Sequence, residues 1–173
     1  MIVARRHVAG LCAALFAAAC TQVHNPDFRD VGIRADKIVD LVPKRPVRLT
    51  NGADPDAGDR LLAQADYETI EGDLWKWTQA AVDLARREIE ARGGDVHGDG
   101  DNELILEVYA LVLRQGDWML RGIAHLRVEY GDGRSKTFSA DVGSSRGGAI
   151  ALEGALRVAV AKMLSDPEIQ KHL

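Results

Sequence analysis

The sequence is short of several things, and each shortage narrows what the chain does. Cysteine is limited to Cys12 and Cys20, both within the first twenty positions. The body beyond them therefore closes no internal disulfide and relies on a packed core. No low-complexity block or repeat of useful period is present, which excludes solenoid and propeller architectures. No stripe of Lys and Arg runs through the chain, whose 22 basic residues face 26 acidic ones for a formal charge of -4. Phosphate contacts need clustered cations, so nucleic acid is excluded as the main partner. The apolar run at the start is shorter than the roughly 20 residues a membrane-spanning helix requires. What remains is 46% hydrophobic and 28% charged over 173 residues, enough for one domain with a real core and too little for two.

The first nineteen residues read in three parts. Arg5 and Arg6 supply a positive start, "VAGLCAALFAAA" an apolar stretch, and Ala17, Ala18 and Ala19 a small-residue cleavage point. That layout is a secretory signal peptide. Cys20 directly after the alanines makes the segment resemble the signal of a bacterial lipoprotein, in which this cysteine is lipidated and becomes the first residue of the mature chain. The alternative is a secreted protein with an incidental Cys20. Cys12 fits worse, because Leu11 before it is not small. Several acyl chains, each contributing about 0.8 kcal/mol per buried CH₂, hold a protein on a bilayer stably. By the same resemblance, Thr21 after the cysteine implies sorting to the outer membrane, facing the periplasm. Cleavage takes 2 of the 22 basic residues and leaves 20 against 26 acidic, a formal charge of -6.

Residues 20–42, with Asn25-Pro26, scattered charge and little periodicity, read as a lipidated flexible tether. Residues 43–173 read as one globular domain. "PVRLTNG" predicts a short strand ended by Asn51-Gly52, "ADPDAGDR" a polar loop, and "RLLAQADY" one or two helical turns. A helix is expected from about Glu71 to Arg92, with Leu74, Trp77, Ala81, Leu84 and Ala85 on one stripe and Gly93-Gly94 at its end. Three strands follow. "ELILEVYALVL" is apolar on nearly both faces. "WMLRGIAHLRVEY" alternates, with Trp118, Leu120, Ala124, Leu126, Val128 and Tyr130 inward. "RSKTFSADV" returns after the hairpin signal "GDG". A nearly apolar helix from about Gly147 to Leu164 closes the domain. The expected fold class is α+β: a four-stranded, mostly antiparallel sheet with two helices on one face, in the order β-α-β-β-β-α.

These features resemble the YajG-type lipoproteins and, more distantly, the α+β domains of envelope lipoproteins that activate penicillin-binding proteins. The shared points are the cysteine after the signal, "PVRLTNG", the helix ending in Gly-Gly, the strand meander and the closing "AVAKMLSDPEIQKHL". They are scattered over residues 43–173. The resemblance implies a location and a fold rather than an activity.

Two groups of residues predict partner binding. Trp75 lies about 200° around the helix from Trp77. If Trp77 points inward, Trp75 is turned toward Gln79 and Arg86, partly in water, where tryptophan often anchors a partner. Ile150, Gly154, Val158 and Ala161 leave the last helix with apolar surface beyond its main stripe, suited to a homodimer seam or a partner groove unless the N-terminal segment covers it. "GSSRGG" joins a strand to a helix, so Ser144, Ser145 and Arg146 are candidates for anion binding. "DVHGDGDNE", from Asp95 to Glu103, lacks the ligand order of a calcium loop and reads as a polar turn. No pair of histidines has metal-ligand spacing, so no metal or other cofactor is expected.

The function these readings favour is that of a membrane-anchored periplasmic lipoprotein, a non-catalytic binding or accessory module of the envelope whose partner is an envelope protein or a second copy. The alternatives are a hydrolase using Ser144 or Ser145 with His125, and a purely structural lipoprotein. No nucleophile elbow supports the hydrolase.

Overall fold

The structure is a computed structural model that describes residues 20–29, 31–34, 37–38, 41–65, 67–96 and 102–173. The signal segment 1–19 and the centre of the Asp95–Glu103 loop lie outside the described residues. The fold is α+β, with strands in two sheets and helices packed against them.

Four strands carry most of the core. β2 (Arg48–Asn51), β5 (Glu103–Gln115), β6 (Leu120–Tyr130) and β7 (Ser135–Ser144) lie in the order β2-β5-β6-β7. β5, β6 and β7 form an antiparallel meander, while β2 joins β5 in parallel at the edge. Strict alternation in β6 sends Leu120, Ala124, Leu126, Val128 and Tyr130 inward, as a period of two requires. Trp118 is not among them. It lies in the turn before β6 and is 90% exposed, because Gly116 N donates to Met119 O across a tight hairpin that lifts it off the sheet.

Two long helices cover the inward face. α1 (Leu74–Glu90) is capped by Asp73, whose carboxylate accepts from Trp75 N at 2.8 Å, satisfying one of the otherwise orphaned first-turn amides. Its stripe of Trp77, Ala81, Leu84 and Ala85 is fully buried. Thr78 is buried in the same interface, and its hydroxyl accepts from Val108 N at 3.0 Å. The need for it is local. The β5–β6 register shifts between Val108 and Ala110, so Tyr109 is an extra, outward-facing residue in a bulge, where a ladder amide loses its usual acceptor. α2 (Gly148–Leu164) is buried on most sides against β6 and β7. The short α3 (Pro167–Gln170) follows, capped by Asp166.

A second, smaller sheet lies outside the expected four-stranded arrangement. β1 (Cys20–Val23), β4 (Glu68–Gly72) and β3 (Arg60–Ala65) lie in the order β1-β4-β3, with β1 parallel and β3 antiparallel to β4. The stretch "RLLAQADY", expected as helical turns, therefore forms β3 and the tip of its hairpin with β4. Sheet pairing overrode a local pattern that also suits a helix.

Residues 20–42 are likewise not a loose tether. β1 pairs with β4, and Phe28, Ile38 and Leu41 are buried in the core. Polar groups of α1 strap the segment down. Trp77 Nε1 donates to His24 O at 3.2 Å, Arg87 to Phe28 O at 2.5 Å and Arg29 O at 2.6 Å, and Ile33 N to the Glu88 carboxylate at 2.7 Å. Three spaced apolar residues were too sparse to read as an element, but they are enough to bury a strap.

Candidate functional site

Trp75 is half-buried and lines an open groove of about 660 Å³ between α1 and the strap. Asn25, Asp27 and Phe28 form one wall, and Gln79, Asp83 and Arg86 the other. The N-cap geometry sets the first turn, which leaves Trp77 pointing into the core and Trp75 toward this groove. Hydrogen bonds from the Arg29 side chain and backbone N–H hold the Asp27 carboxyl down at about 2. The groove thus keeps a carboxylate across the ordinary pH range, and its cations lie beside it. Arg86 donates to Asp83 at 3.3 Å through Nη1, whereas its buried Nε has no hydrogen-bond partner. The accessible part of the Arg86 guanidinium therefore lies beyond Nε, at the edge of the groove.

The second group is only partly at the surface. Gly154 and Ala161 are buried, and a Cβ on Gly154 would meet Val142 Cγ1 at 3.0 Å. Val158 is exposed and Ile150 half-buried. The expectation of a four-residue apolar seam is corrected to a smaller groove of about 380 Å³, where Val158 faces Ile33 of the strap between cationic Arg34, Lys37 and Arg157. The strap residues Gly32, Ile33, Arg34 and Lys37 line this groove with α2, and Val142 of β7 packs against Gly154, which accounts for the loss of free surface.

Ser144, Ser145 and Arg146 do end β7 and lead into α2, but the helix terminus already holds an anion. Both oxygens of Glu68 accept from Gly148 N, at 2.9 and 3.0 Å. Gly147, at φ +119°, brings the backbone close to that carboxylate in a conformation that favours glycine. Ser144 Oγ turns inward along its own loop to accept from Arg146 N at 3.0 Å. The anion site read from "GSSRGG" is therefore satisfied internally by β4.

His125 does not meet either serine. It pairs in register with Ser139, and its Nδ1 lies 2.7 Å from Ser139 Oγ, with the Tyr109 ring 5.6 Å away. Ser144 lies five residues further along β7, opposite Leu120. At about 3.4 Å per residue that is roughly 17 Å, far outside hydrogen-bond reach. Ser139 and Tyr109 were missed because only strand register brings them beside His125. Among the described residues no group of three His, Cys, Asp or Glu side chains is arranged to hold a metal ion, and no helix is long and apolar enough to cross a membrane.

The fold and its grooves define an α+β module with an aromatic-lined surface cleft. No protein-family model, curated protein or solved structure matches the chain.

Proposed function

We propose that the chain is a bacterial outer-membrane lipoprotein, held by lipid on Cys20 and facing the periplasm, that acts as a non-catalytic binding module for an envelope protein. The signal-like segment ahead of Cys20 supports the anchor, as does the resemblance to YajG-type lipoproteins. The groove at Trp75 supports the binding role. It combines an aromatic anchor with charges of both signs, the mixture that recognises a protein surface. The Trp75 groove is the observation that carries this reading.

Cross-linking in intact envelopes followed by affinity capture tests it. A defined protein should be captured by the wild-type chain and lost, by about tenfold or more, with Trp75→Ala, the scale of a binding hot spot. Equal capture by both chains removes the groove from the function. The hydrolase alternative gains nothing from the roughly 17 Å that separate its serine and histidine.

A further inference from the structure

We infer that the end of the domain bearing Trp118, Met119, Tyr67 and Arg146 is a membrane-contact face that rests on the lipid headgroups of the bilayer. This deepens the lipoprotein reading and rests on it.

Strand register brings the parts of this face together. Cys20, the first residue of β1, lies opposite Glu68, the first of β4, and Tyr67 is at the hairpin tip just before it. Glu68 binds the first amide of α2, so the loop carrying Arg146 sits at the same end. Arg146 lines one surface depression with Tyr67 and another with Met119. Met119 belongs to the β5–β6 turn, and Leu120 beside it opposes Ser144 at the end of β7. One end of both sheets thus gathers the start of β1, two hairpin tips and the loop into α2.

The composition of that end is unusual for a surface in water. Trp118 is 90% exposed, Tyr67 56% and Met119 41%. Elsewhere on the domain, tryptophan is used for burial, as at Trp77, or to line a groove, as at Trp75. Amphipathic Trp and Tyr rings favour the headgroup level of a bilayer. Arg114 and Arg121 oppose each other at the base of the β5–β6 hairpin, and Arg121 is bound to Asp141 at 3.0 Å. Arg114 and exposed Arg146 bring cationic charge to this end alongside the exposed Asp117 of the same turn, a mixture that suits zwitterionic headgroups carrying anionic phosphate. The chain reaches Cys20 without slack, since β1 is paired from that residue on. Acyl chains attached there would hold this end, and no other, against the membrane. A single exposed tryptophan binds a bilayer weakly by itself. Beside a lipid anchor its contact is effectively intramolecular, and so becomes populated.

The test uses the full-length protein expressed in a bacterial envelope, purified in detergent, weighed by mass spectrometry and reconstituted. The vesicles contain phosphatidylethanolamine and phosphatidylglycerol, with and without lipid brominated near the top of its acyl chains. Tryptophan emission should be quenched by bromolipid, and Trp118→Phe should abolish that quenching while Trp75→Phe leaves it. A matching urea midpoint for each variant verifies folding. Arg146→Ser should shift the quenching toward a higher phosphatidylglycerol content. Acylated protein that floats with vesicles but shows no Trp118-dependent quenching overturns the contact face and leaves the anchor standing. A chain without acyl mass that remains in the aqueous phase overturns both. Trp118 found instead to cross-link to a protein, with no quenching on vesicles, also overturns the inference.

Discussion

The carboxylate of Glu68 closes onto the backbone N–H of Gly148, 80 positions away in sequence, at 2.9 and 3.0 Å. One side chain thereby caps α2 and fastens the small sheet to that helix. A charged acceptor on a buried amide is worth about 1.5–3 kcal/mol, and its position at a helix N-terminus adds to that. Glu68→Ala should lower stability by about 2 kcal/mol in urea unfolding. Glu68→Gln keeps an acceptor oxygen and should recover part of the loss. Hydrogen exchange at Gly148 should quicken in both variants, more in the alanine.

A second carboxylate ties the edge strand in place and predicts a response to acid. Glu103 accepts from Thr50 Oγ1 at 2.7 Å and from Arg48 at 3.0 Å. These bonds hold its carboxyl below the ordinary glutamate value of 4.5. A carboxyl lowered in the folded state binds its proton less readily than in the unfolded chain. Its contribution is therefore complete above about pH 4.5 and is lost as pH falls through the lowered value. Urea midpoints measured from about pH 6 down to about pH 3 should fall more steeply for the wild type than for Glu103→Gln. The two curves should run parallel above that window.

How far the sequence disclosed this molecule depended on the range of the interaction. The alternation in β6 and the stripe of Trp77, Ala81, Leu84 and Ala85 are local periodicities, and each survives in the fold. So does the β-α-β-β-β-α order around the larger sheet. The smaller sheet depends on pairing between β1 and β4, some 48 residues apart in register, which no local pattern encodes. Trp75 could be turned toward its groove by helix geometry alone. Glu68 could not be read as the occupant of the "GSSRGG" loop, because nothing near either residue refers to the other. Trp118 departs from its expected inward place for a simpler reason. It continues the alternation of β6 by one step, into a turn where the alternation no longer applies.

Close approach of sheet and helix at Gly122 yields a steric prediction. A Cβ there would lie 2.5 Å from Ala151 C and Leu152 N. Both contacts are backbone, so no side chain can swing away, and α2 as a whole must move off β6. Gly122→Ala should cost about 3 kcal/mol or more, the upper range for overpacking a core. The midpoint of urea unfolding should fall with little change in slope.

The strap over α1 separates a docked N-terminal segment from a freely jointed one. Arg87 donates to the carbonyls of both Phe28 and Arg29, and Phe28 O also accepts from Val31 N at 3.0 Å. Arg87→Ala removes the charged donor shared by both oxygens and weakens the seat of the buried Phe28 ring. The expected cost is about 1–2 kcal/mol, concentrated where the contacts are. Hydrogen exchange should accelerate across β1 and residues 24–29 while β6 and β7 stay protected, the pattern of a sub-global opening. Limited proteolysis should then cut the variant between residues 20 and 42 well before the wild type. A loose tether would behave otherwise, with rapid cutting of both proteins and no local change in exchange. The difference also bears on the membrane: a strapped segment keeps Cys20 at a fixed corner of the domain, so loosening it should reduce the Trp118-dependent quenching by bromolipid even while the lipid anchor is intact.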